Sequence, residues 1–436
     1  MLSIWSDSAK LPVFESLKTD VKTDVLIIGG GITGLLCAYL LKQSNVDCIL
    51  VEADRICSGI TKNTTAKITS QHGLIYHKLI RQFGIEKARM YLDANEIALR
   101  QYQILCASID CKFEIKDSYV YSIDQPRKLE KELEALSKLG YTAGYEEHLP
   151  LPFPLSGAVK FPNQAQFHPL LFLSKIVENL PIYEHTKVLE LAPHTAITGG
   201  GKITASSIIV TTHFPFLNKH GNYFLKMYQH RSYVLALDNA PELNGMYVDE
   251  SDKGLSFRNF DGLLLLGGGD HRTGKMGGNF EELSMFARVH YPNSKEQYRW
   301  ATQDCMTLDR VPYIGPYSKN TEGLYVATGF NKWGMTSAMV AATLLHDMVL
   351  GIENPYASVF SPSRTMLRPQ LLVNAFEATT NLLSLSSKRC PHMGCALKWN
   401  PVEHSWDCPC HGSRFTGDGE LIDNPATDDL NKQHLT

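Results

Sequence analysis

The chain lacks an excess of basic residues, a long apolar run and a leader-like N-terminus, and each absence excludes a class of protein. Its 42 lysines and arginines face 45 acidic residues, which leaves a formal net charge of −3. This balance provides neither the basic footprint of a nucleic-acid-binding protein nor a polybasic membrane patch. No apolar run reaches the length that spans a bilayer, and residues 1–7 lack the charged and apolar regions of a signal peptide. We therefore expect a cytoplasmic protein with no nucleic-acid partner and no transmembrane segment.

Cysteines are also sparse until the end of the chain. Six of the ten are scattered, whereas Cys390, Cys395, Cys408 and Cys410 crowd the tail. Scattered cysteines in a cytosolic chain are usually buried thiols, but a crowded set indicates a metal. The length of 436 residues exceeds what one hydrophobic core supports, so we expect two or three domains.

The first part of the chain contains a strand, a glycine turn, a helix and a second strand. The first strand is predicted over residues 24–28, the turn over 29–34, the helix over 35–43 and the second strand over 47–52. This order is a βαβ unit of the kind that binds dinucleotides. A glycine pattern of this kind also occurs by chance as a plain turn, but here both strands and a final acid are in place. The unit predicts one nucleotide site.

The glycines and the acid have separate roles in such a unit. Gly29 permits the tight turn, Gly31 lets a pyrophosphate approach the backbone, and Gly34 lets the helix and the strand pack closely. The diphosphate would lie at the helix N-terminus, where free N–H groups and the helix dipole favour an anion. Glu52 would then accept hydrogen bonds from the ribose hydroxyls.

The loop after this unit is rich in glycine and hydroxyl groups and has the sequence Gly59-Ile-Thr-Lys-Asn-Thr-Thr-Ala66. Such a loop can wrap a polar cofactor, or it can be a plain surface loop. Together with Ile27-Ile-Gly-Gly-Gly-Ile-Thr-Gly-Leu35 and Glu52, it resembles the N-terminus of FAD-dependent oxidoreductases of the D-amino-acid oxidase type. The resemblance implies FAD in place of NAD, a distinction that the residues alone do not make.

A second glycine-rich turn lies between a strand predicted over 324–328 and a helix predicted over 337–350. The turn, Gly329-Phe-Asn-Lys-Trp-Gly-Met-Thr336, resembles the C-terminal FAD motif of the same family. Its amides and the helix N-terminus would meet the pyrimidine end of the flavin. The cofactor-binding residues predicted in this way are Gly29, Gly31, Gly34, Glu52, Arg55, Thr61, Thr65, Ala66, Gly329, Trp333, Gly334 and Thr336.

The tail contains two Cys-His pairs on two loops. Cys390 and His392 form the first pair, and Cys408 and His411 form the second. A Cys2His2 set could hold zinc, but the single residue between Cys390 and His392 and the two extra cysteines fit a zinc finger poorly. The pattern resembles a Rieske protein. The resemblance implies a [2Fe–2S] cluster with one iron on the two cysteines and the other on the two histidines.

The resemblance also implies a disulfide between Cys395 and Cys410, as in the Rieske proteins of cytochrome bc complexes, although a cytosolic location argues against it. Rieske domains normally supply several strands before their first ligand loop, whereas residues 365–389 leave little room for them. Residues 371–385 are predicted as helix or linker. We therefore expect the shortened module to be supported by packing on the flavin domain.

The fold class predicted from these segments is α/β plus β, with a Rossmann-like FAD-binding domain, an inserted antiparallel-sheet substrate domain and a small C-terminal Rieske-type iron-sulfur module. The predicted boundaries are 1–100, 150–215 and 301–364 for the FAD-binding domain, 101–149 and 216–300 for the substrate domain, 365–389 for a linker and 390–436 for the cluster module. The other predicted elements are helices over 76–105, 129–139 and 170–180, strands over 113–123, 182–191 and 202–212, a hairpin turn at 199–201, and short strands between 223 and 300.

Six residues could line the flavin face, namely His72, Arg231, Tyr233, His271, Arg272 and Trp333, and of these His271, Arg231 and Tyr233 are the candidate catalytic residues. Arg231 could hold a substrate carboxylate bidentately, or it could form a structural ion pair. His271 follows a buried strand, as suits an active-site loop, although many loop histidines are merely solvated.

Cys305 has two interpretations. In the sarcosine-oxidase branch of the family a cysteine in a similar region attaches the flavin covalently, whereas a buried free thiol needs no such explanation.

FAD and a Rieske cluster in one chain predict an electron-transfer enzyme, because flavin exchanges two electrons and the cluster exchanges one. By family resemblance a small amine or amino acid would reduce FAD, and the cluster would pass electrons singly to an external acceptor such as a small redox protein. Three alternatives remain open at this point: electron flow in the reverse direction, a non-catalytic redox sensor, and a flavin oxidase that uses O₂ and has a purely structural tail.

Overall fold

The computed structural model describes residues 2–217, 220–365, 367–384, 386 and 388–430. The helices in this part of the chain are α1 (Ile4–Ser8), α2 (Ile32–Gln43), α3 (Tyr76–Phe83), α4 (Ile85–Cys106), α5 (Pro126–Lys138), α6 (Pro169–Ile176), α7 (Tyr223–Lys226), α8 (Phe280–His290), α9 (Gly334–Val349), α10 (Ala357–Phe360) and α11 (Pro369–Leu383), with one 3₁₀ turn at Ile60–Asn63. None of them has the length and apolarity that a bilayer crossing requires.

The strands in the same residues form three sheets. They are β1 (Val21–Ile28), β2 (Cys48–Val51), β3 (Lys67–Ile68), β4 (Glu114–Ser122), β5 (Gly144–Glu146), β6 (Gly157–Gln166), β7 (Ile182–Tyr183), β8 (Val188–Ala192), β9 (Thr195–Thr198), β10 (Lys202–Val210), β11 (Met227–Asp238), β12 (Met246–Asp249), β13 (Ser256–Phe260), β14 (Leu263–Arg272), β15 (Lys295–Thr307), β16 (Tyr313–Pro316), β17 (Leu324–Thr328), β18 (Lys398–Asn400), β19 (Ser405–Asp407), β20 (Arg414–Thr416) and β21 (Leu421–Asp423).

The first sheet contains the predicted βαβ unit. Its order is β16-β17-β10-β1-β2-β7, with the β8–β9 hairpin attached to β10. β1 pairs in parallel with β2 and with β10, and β10 pairs in parallel with β17. Such strands are buried on both faces, which explains why residues 25–28 of β1 and the whole of β2 are apolar. The helices α2 and α9, which follow the two glycine turns, pack against each other.

Two predicted elements of this region are divided in the structure. The helix predicted over 76–105 is two helices, because Gly84 has φ +84° and ends α3 before α4 begins. A left-handed residue of this kind cannot continue an α-helix. The strand predicted over 182–191 is also two short strands, β7 and β8, and the turn at 199–201 joins β9 to β10.

The second sheet has nine strands in the order β15-β11-β14-β13-β12-β4-β6-β3, with β5 beside β6. β15 and α8 have no counterpart among the predicted elements. β15 pairs with β11 along nearly its whole length, from Met227–Thr307 to Asp238–Lys295. Two strands of this sheet do not follow the predicted domain boundaries. β6 lies within 150–215, which was predicted as FAD-binding domain, and β15 crosses the predicted boundary at residue 300, yet both strands belong to the second sheet.

The tail forms a small antiparallel sheet in the order β18-β19-β20-β21, and α11 connects it to the rest of the chain. Its core is small and consists of the tail cysteines with Leu397, Phe415 and Ala426. A core of this size contributes little stability by itself, so the module depends on its contacts with the second sheet.

The packing of α2 on β1 gives a direct test of the glycine turn. A Cβ added at Gly34 would lie 2.0 Å from the Gly29 carbonyl oxygen and 2.8 Å from Thr211 Oγ1. We expect Gly34→Ala to lower the free energy of unfolding by about 3 kcal/mol, the upper part of the usual range for overpacking. In the control Gly199→Ala, the new methyl group meets no atom within 4 Å. Urea denaturation checks both variants, and an equally stable G34A protein would contradict the close packing.

Candidate functional site

A cavity of about 820 Å³ lies between the first and the second sheet. Both glycine turns open into it. Of the predicted cofactor-binding residues, its wall contains Gly29, Gly31, Glu52, Arg55, Thr61, Thr65, Gly329, Trp333 and Gly334. The structure therefore brings together the two turns, which are separated by about three hundred residues in the chain, as one dinucleotide site requires.

The first glycine turn is shaped as a cradle. Gly29 has φ +112°, and a Cβ there would lie 2.8 Å from the Thr211 carbonyl oxygen. Gly31 faces the cavity at the start of α2, and the hydroxyl group of Thr61 accepts a hydrogen bond from the Ile32 N–H at 3.1 Å. A side chain at Gly31 would fill the space at the helix N-terminus where a diphosphate is favoured. The turn therefore fits the phosphates of FAD.

Glu52 supports this turn in addition to lining the cavity. Its carboxylate accepts hydrogen bonds from the Gly30 N–H at 2.6 Å and from the Asp54 N–H at 2.9 Å. Burial raises the pKa of Glu52, although these N–H donors oppose the shift. Free lone pairs on both oxygens remain available for ribose hydroxyls.

Three predicted cofactor-binding residues lie behind the cavity wall. Gly34 packs α2 onto the first turn, as described above. The Ala66 carbonyl oxygen accepts a hydrogen bond from Arg258 at 2.8 Å. The Thr336 hydroxyl group accepts from the Thr69 N–H at 3.0 Å and donates to the Thr69 carbonyl at 2.8 Å. The first contact ties the loop after the βαβ unit to β13, and the other two tie the segment after β3 to α9. The three residues therefore shape the cavity without forming its surface.

Aromatic rings and a thiol complete the middle of the wall. His72 stacks on Trp333 with ring centroids 5.0 Å apart, and burial lowers the pKa of His72 to about 3, so the imidazole is neutral. Cys305 also lines the cavity, and its sulfur lies 3.5 Å from the Met227 sulfur. Burial raises the pKa of Cys305 to about 12, which disfavours the thiolate that covalent attachment would need.

Charged side chains occupy the end of the cavity formed by the second sheet. Lys332 is paired with Asp270 at 2.8 Å, and Arg310 is paired with Asp252. Asp304 lies near Lys332 but hydrogen-bonds to neither Lys332 nor Arg310. Burial raises the pKa of Asp304 to about 6, and the positive charge of Lys332 opposes this shift. These five residues were missed from the sequence, although three of them are one position from a residue that was singled out: Lys332 from Trp333, Asp270 from His271 and Asp304 from Cys305.

The three candidate catalytic residues do lie together, but around a residue of the tail. Arg231 forms a buried, bidentate ion pair with Glu403, so the interpretation as a substrate-carboxylate clamp is wrong and the ion pair is present instead. The Tyr233 hydroxyl group donates to Glu403 at 3.2 Å and lies 3.1 Å from His271 Nε2. Tyr233 contributes to the cavity wall, whereas Arg231 and His271 do not.

Glu403 also binds a second arginine. Arg414 contacts Glu403 at 2.9 Å, Asp407 at 3.0 Å and Asp423 at 3.2 Å. Burial alone would raise the pKa of Glu403, but Arg231 and Arg414 together hold it below its usual value. The carboxylate therefore remains charged and joins the tail module to β11 of the second sheet.

Further polar contacts fix the module on the same strands. Arg272, which was predicted to line the flavin face, instead donates to the carbonyls of Pro409 at 3.1 Å and Cys410 at 3.2 Å. Gln303 Nε2 donates to the Gly412 carbonyl at 2.9 Å. Asn424 Nδ2 reaches the first sheet at the Thr212 carbonyl, 2.6 Å away. The expected packing of the short module on the rest of the chain is thus present.

The two tail loops have matching backbones. The Gly394 N–H donates to the Cys390 carbonyl and the Gly412 N–H donates to the Cys408 carbonyl, both at 2.9 Å. His392 Nδ1 and His411 Nδ1 lie 3.2 Å apart. Two imidazole nitrogens that face one point form a suitable donor pair for a metal ion.

The tail sulfurs divide into a disulfide and two thiols. Cys395, Cys408 and Cys410 lie within 4.8 Å of one another, but Cys395 and Cys410 are joined as a disulfide and cannot act as thiolates. Cys390 is hydrogen-bonded to Cys408 and lowers the pKa of the Cys408 thiol to about 7. The set of two thiols and two imidazoles fits a [2Fe–2S] cluster of the Rieske type.

Comparisons with known proteins agree with both cofactors. The family model "FAD dependent oxidoreductase" (DAO) matches residues 24–348, and the model "Rieske [2Fe-2S] domain" matches residues 366–434. A relative from Bacillus subtilis (strain 168), YhfW, named as a Rieske 2Fe-2S iron-sulfur protein, is 37% identical over 99% of this chain and 97% of its own. Gamma-glutamylputrescine oxidoreductase of Escherichia coli (strain K12) is 23% identical over 78% of this chain and 87% of its own.

Solved structures show the same fold. Glycine oxidase from Geobacillus kaustophilus superposes with a TM-score of 0.67 over 79% of this chain and 99% of its own, at 18% identity. L-amino acid deaminase from Proteus vulgaris gives a TM-score of 0.67 over 82% of this chain and 100% of its own, at 14% identity. The predicted fold class is thereby confirmed.

Removal of the Glu403 charge tests the docking of the tail. We expect Glu403→Gln to destabilise the protein by about 3–5 kcal/mol, because Arg231 and Arg414 would remain buried without their shared partner. Urea denaturation and limited proteolysis of the tail report the change, and Glu420→Gln, which removes an exposed carboxylate in the same module, serves as the control.

The difference in stability between the wild type and E403Q should depend on pH, because the pKa of Glu403 is lower in the folded protein. The stabilisation by the Glu403 carboxylate is fully present above its unfolded-state pKa of about 4.5. It is lost as the pH falls through the lower pKa that Glu403 has in the folded protein. Wild type and E403Q should therefore converge in acid. A constant difference, or none at neutral pH, would contradict the role of the carboxylate.

Proposed function

Because the chain belongs to the family of FAD-dependent oxidoreductases and ends in a Rieske [2Fe–2S] domain, we propose that it oxidises a small cationic amine at FAD and passes the electrons through the cluster to an external acceptor. When bound, FAD takes two electrons and a proton from the donor, and the cluster carries single electrons. The remaining task of the protein is to bind the donor, position both groups and connect their sites.

The observation that carries this proposal is that the tail module forms part of the flavin cavity. Residues 421–424, 426, 427 and 429 belong to the cavity wall. On the other side, Gln303 holds the Gly412 carbonyl next to His411, while its neighbours Thr302 and Asp304 line the cavity. A single strand, β15, therefore contacts the ligand loop and the cavity, which supports a direct electron path between them.

The paired cations around Asp304 favour an amine over an α-amino acid at this end of the cavity. Lys332 and Arg310 are already paired with Asp270 and Asp252, and Arg231 is paired with Glu403 outside the cavity. These cations are therefore occupied, which leaves them less suited to a substrate carboxylate. Asp304 is attracted by Lys332 and Arg231 and hydrogen-bonded to Ser232, but it forms no ion pair with Lys332 or Arg310, and its carboxylate can accept a further hydrogen bond from a donor ammonium group.

The direction of electron flow is tested by anaerobic mixing. Holoprotein is mixed with diamines, polyamines and N-methylamines, with glycine, alanine and proline as the amino-acid arm. Bleaching of the flavin, followed by a change in the cluster absorbance, is expected for at least one amine. In the double variant His392→Ala, His411→Ala the cluster signal should be absent while the flavin still bleaches. Flavin bleaching only after chemical reduction of the cluster would show the reverse direction, and no bleaching with any donor would contradict an amine dehydrogenase.

Asp304 tests the assignment of the donor. We expect Asp304→Asn to raise the KM for a cationic amine by about tenfold or more, with a smaller change in kcat, because a charged hydrogen bond to the donor is lost. In the wild type KM should rise as the pH falls below about 6, since Asp304 becomes protonated there, and this rise should be absent in D304N. The control is Glu281→Gln, an exposed position on α8. An unchanged KM in D304N would contradict ammonium binding at Asp304.

A further inference from the structure

The helix α11, which leads into the cluster module, exposes three large apolar side chains on one side and buries two asparagines on the other. Leu372, Phe376 and Leu383 are 75%, 69% and 79% exposed, whereas Asn374 and Asn381 are 6% and 4% exposed. Helices on protein surfaces normally show the opposite arrangement. Large apolar side chains exposed along one side of a helix mark an interaction surface.

Contacts on the inner side fix the rotation of α11. Asn374 Oδ1 accepts a hydrogen bond from Arg272 at 2.9 Å, and the Asn381 carbonyl accepts one from the Ala396 N–H at 3.0 Å. The two asparagines are seven residues apart, so they lie on the same side of the helix. A rotation that buried the apolar face would break both contacts, and the face is therefore held outward.

The apolar face continues to the ligand loop of the cluster. Leu382 is 43% exposed and lies 4.0 Å from the position of a Cβ at Gly394, and the adjacent Met393 is 41% exposed. The face is thus next to His392, which is only partly buried. Its occupant would contact the chain beside the cluster.

The charges around the face distinguish between possible occupants. Glu377 is the one acidic residue of α11, and it is paired with Lys275. The ends carry cations: Arg368 precedes the helix, and Lys388 and Arg389 follow it, with Arg389 bound to the carbonyls of Leu382 and Gly394. Two copies joined through α11, in either direction, would bring these cations together. An anionic lipid surface matches both the apolar face and the flanking charges.

We propose that α11 is an in-plane membrane anchor that seats this chain on an anionic bilayer surface, with the apolar side chains in the acyl boundary and the ligand loop of His392 beside it. The 15 residues of α11 lie along the surface and do not cross it. The balanced charge of the whole chain does not oppose this binding, because the interaction is local and within a Debye length of the lipid.

Vesicle flotation of the full-length holoprotein tests the proposal. The probes are vesicles of phosphatidylcholine alone and of phosphatidylcholine mixed with phosphatidylglycerol. We expect the wild type to float with the mixed vesicles and to bind the neutral ones more weakly. The triple variant Leu372→Ser, Phe376→Ser, Leu383→Ser should bind the mixed vesicles at least about tenfold more weakly than the wild type, because three apolar groups no longer enter the lipid.

A matched control keeps the test specific. Ile104→Ser, Met276→Ser, Val289→Ser removes three apolar side chains that are 72%, 99% and 72% exposed elsewhere on the surface, and it should bind like the wild type. The cluster absorbance confirms that each variant is folded. The proposal would be overturned if the wild type did not bind the mixed vesicles, or if the α11 variant bound them equally well. It would also be overturned if the wild type formed a dimer without lipid and only the α11 variant were monomeric, and that result would assign the face to a second copy.

Discussion

The buried carboxylate of Glu403 between Arg231 and Arg414 is the contact on which the rest of the structure depends. The tail has too small a core to be placed by hydrophobic packing alone, and directional, charge-assisted hydrogen bonds fix its orientation. A buried ion pair is weak evidence for stability but can give specificity. In this chain it helps to fix where two cofactor-binding regions lie relative to each other, together with the contacts of Arg272, Gln303 and Asn424.

This placement brings the tail module to the wall of the flavin cavity. The nucleotide sheet supplies the phosphate cradle at Gly29–Gly34, the second glycine turn and the second sheet supply Lys332 and Asp304 at the charged end, and the tail closes part of the wall with residues 421–424. The ligand loop of His411 packs on the same strand, β15, that carries Asp304. The proposed electron transfer rests on this arrangement more than on either module alone.

Sequence reasoning was effective where the pattern is local. The strands around the two glycine turns could be predicted from local apolar patterns, whereas the four cluster ligands and the disulfide between Cys395 and Cys410 were implied by the resemblance of the tail motif to Rieske proteins. Sequence reasoning failed where the role depends on distant partners. Arg231 could be seen as a carboxylate-binding residue, but nothing in the sequence aligned it with Glu403, 172 residues away. Likewise, β15 carries an irregular mixture of polar and apolar residues, and its pairing with β11 is a tertiary property.

The central claim is that electrons pass between the flavin cavity and the cluster within one chain. The most direct test is the rate of cluster reduction after the flavin has been reduced anaerobically, measured by stopped-flow absorbance over a range of protein concentrations. The account predicts a first-order rate that does not change with concentration, because the docked module keeps the two sites together. A rate that rises in proportion to concentration would show transfer between separate molecules and would contradict the account.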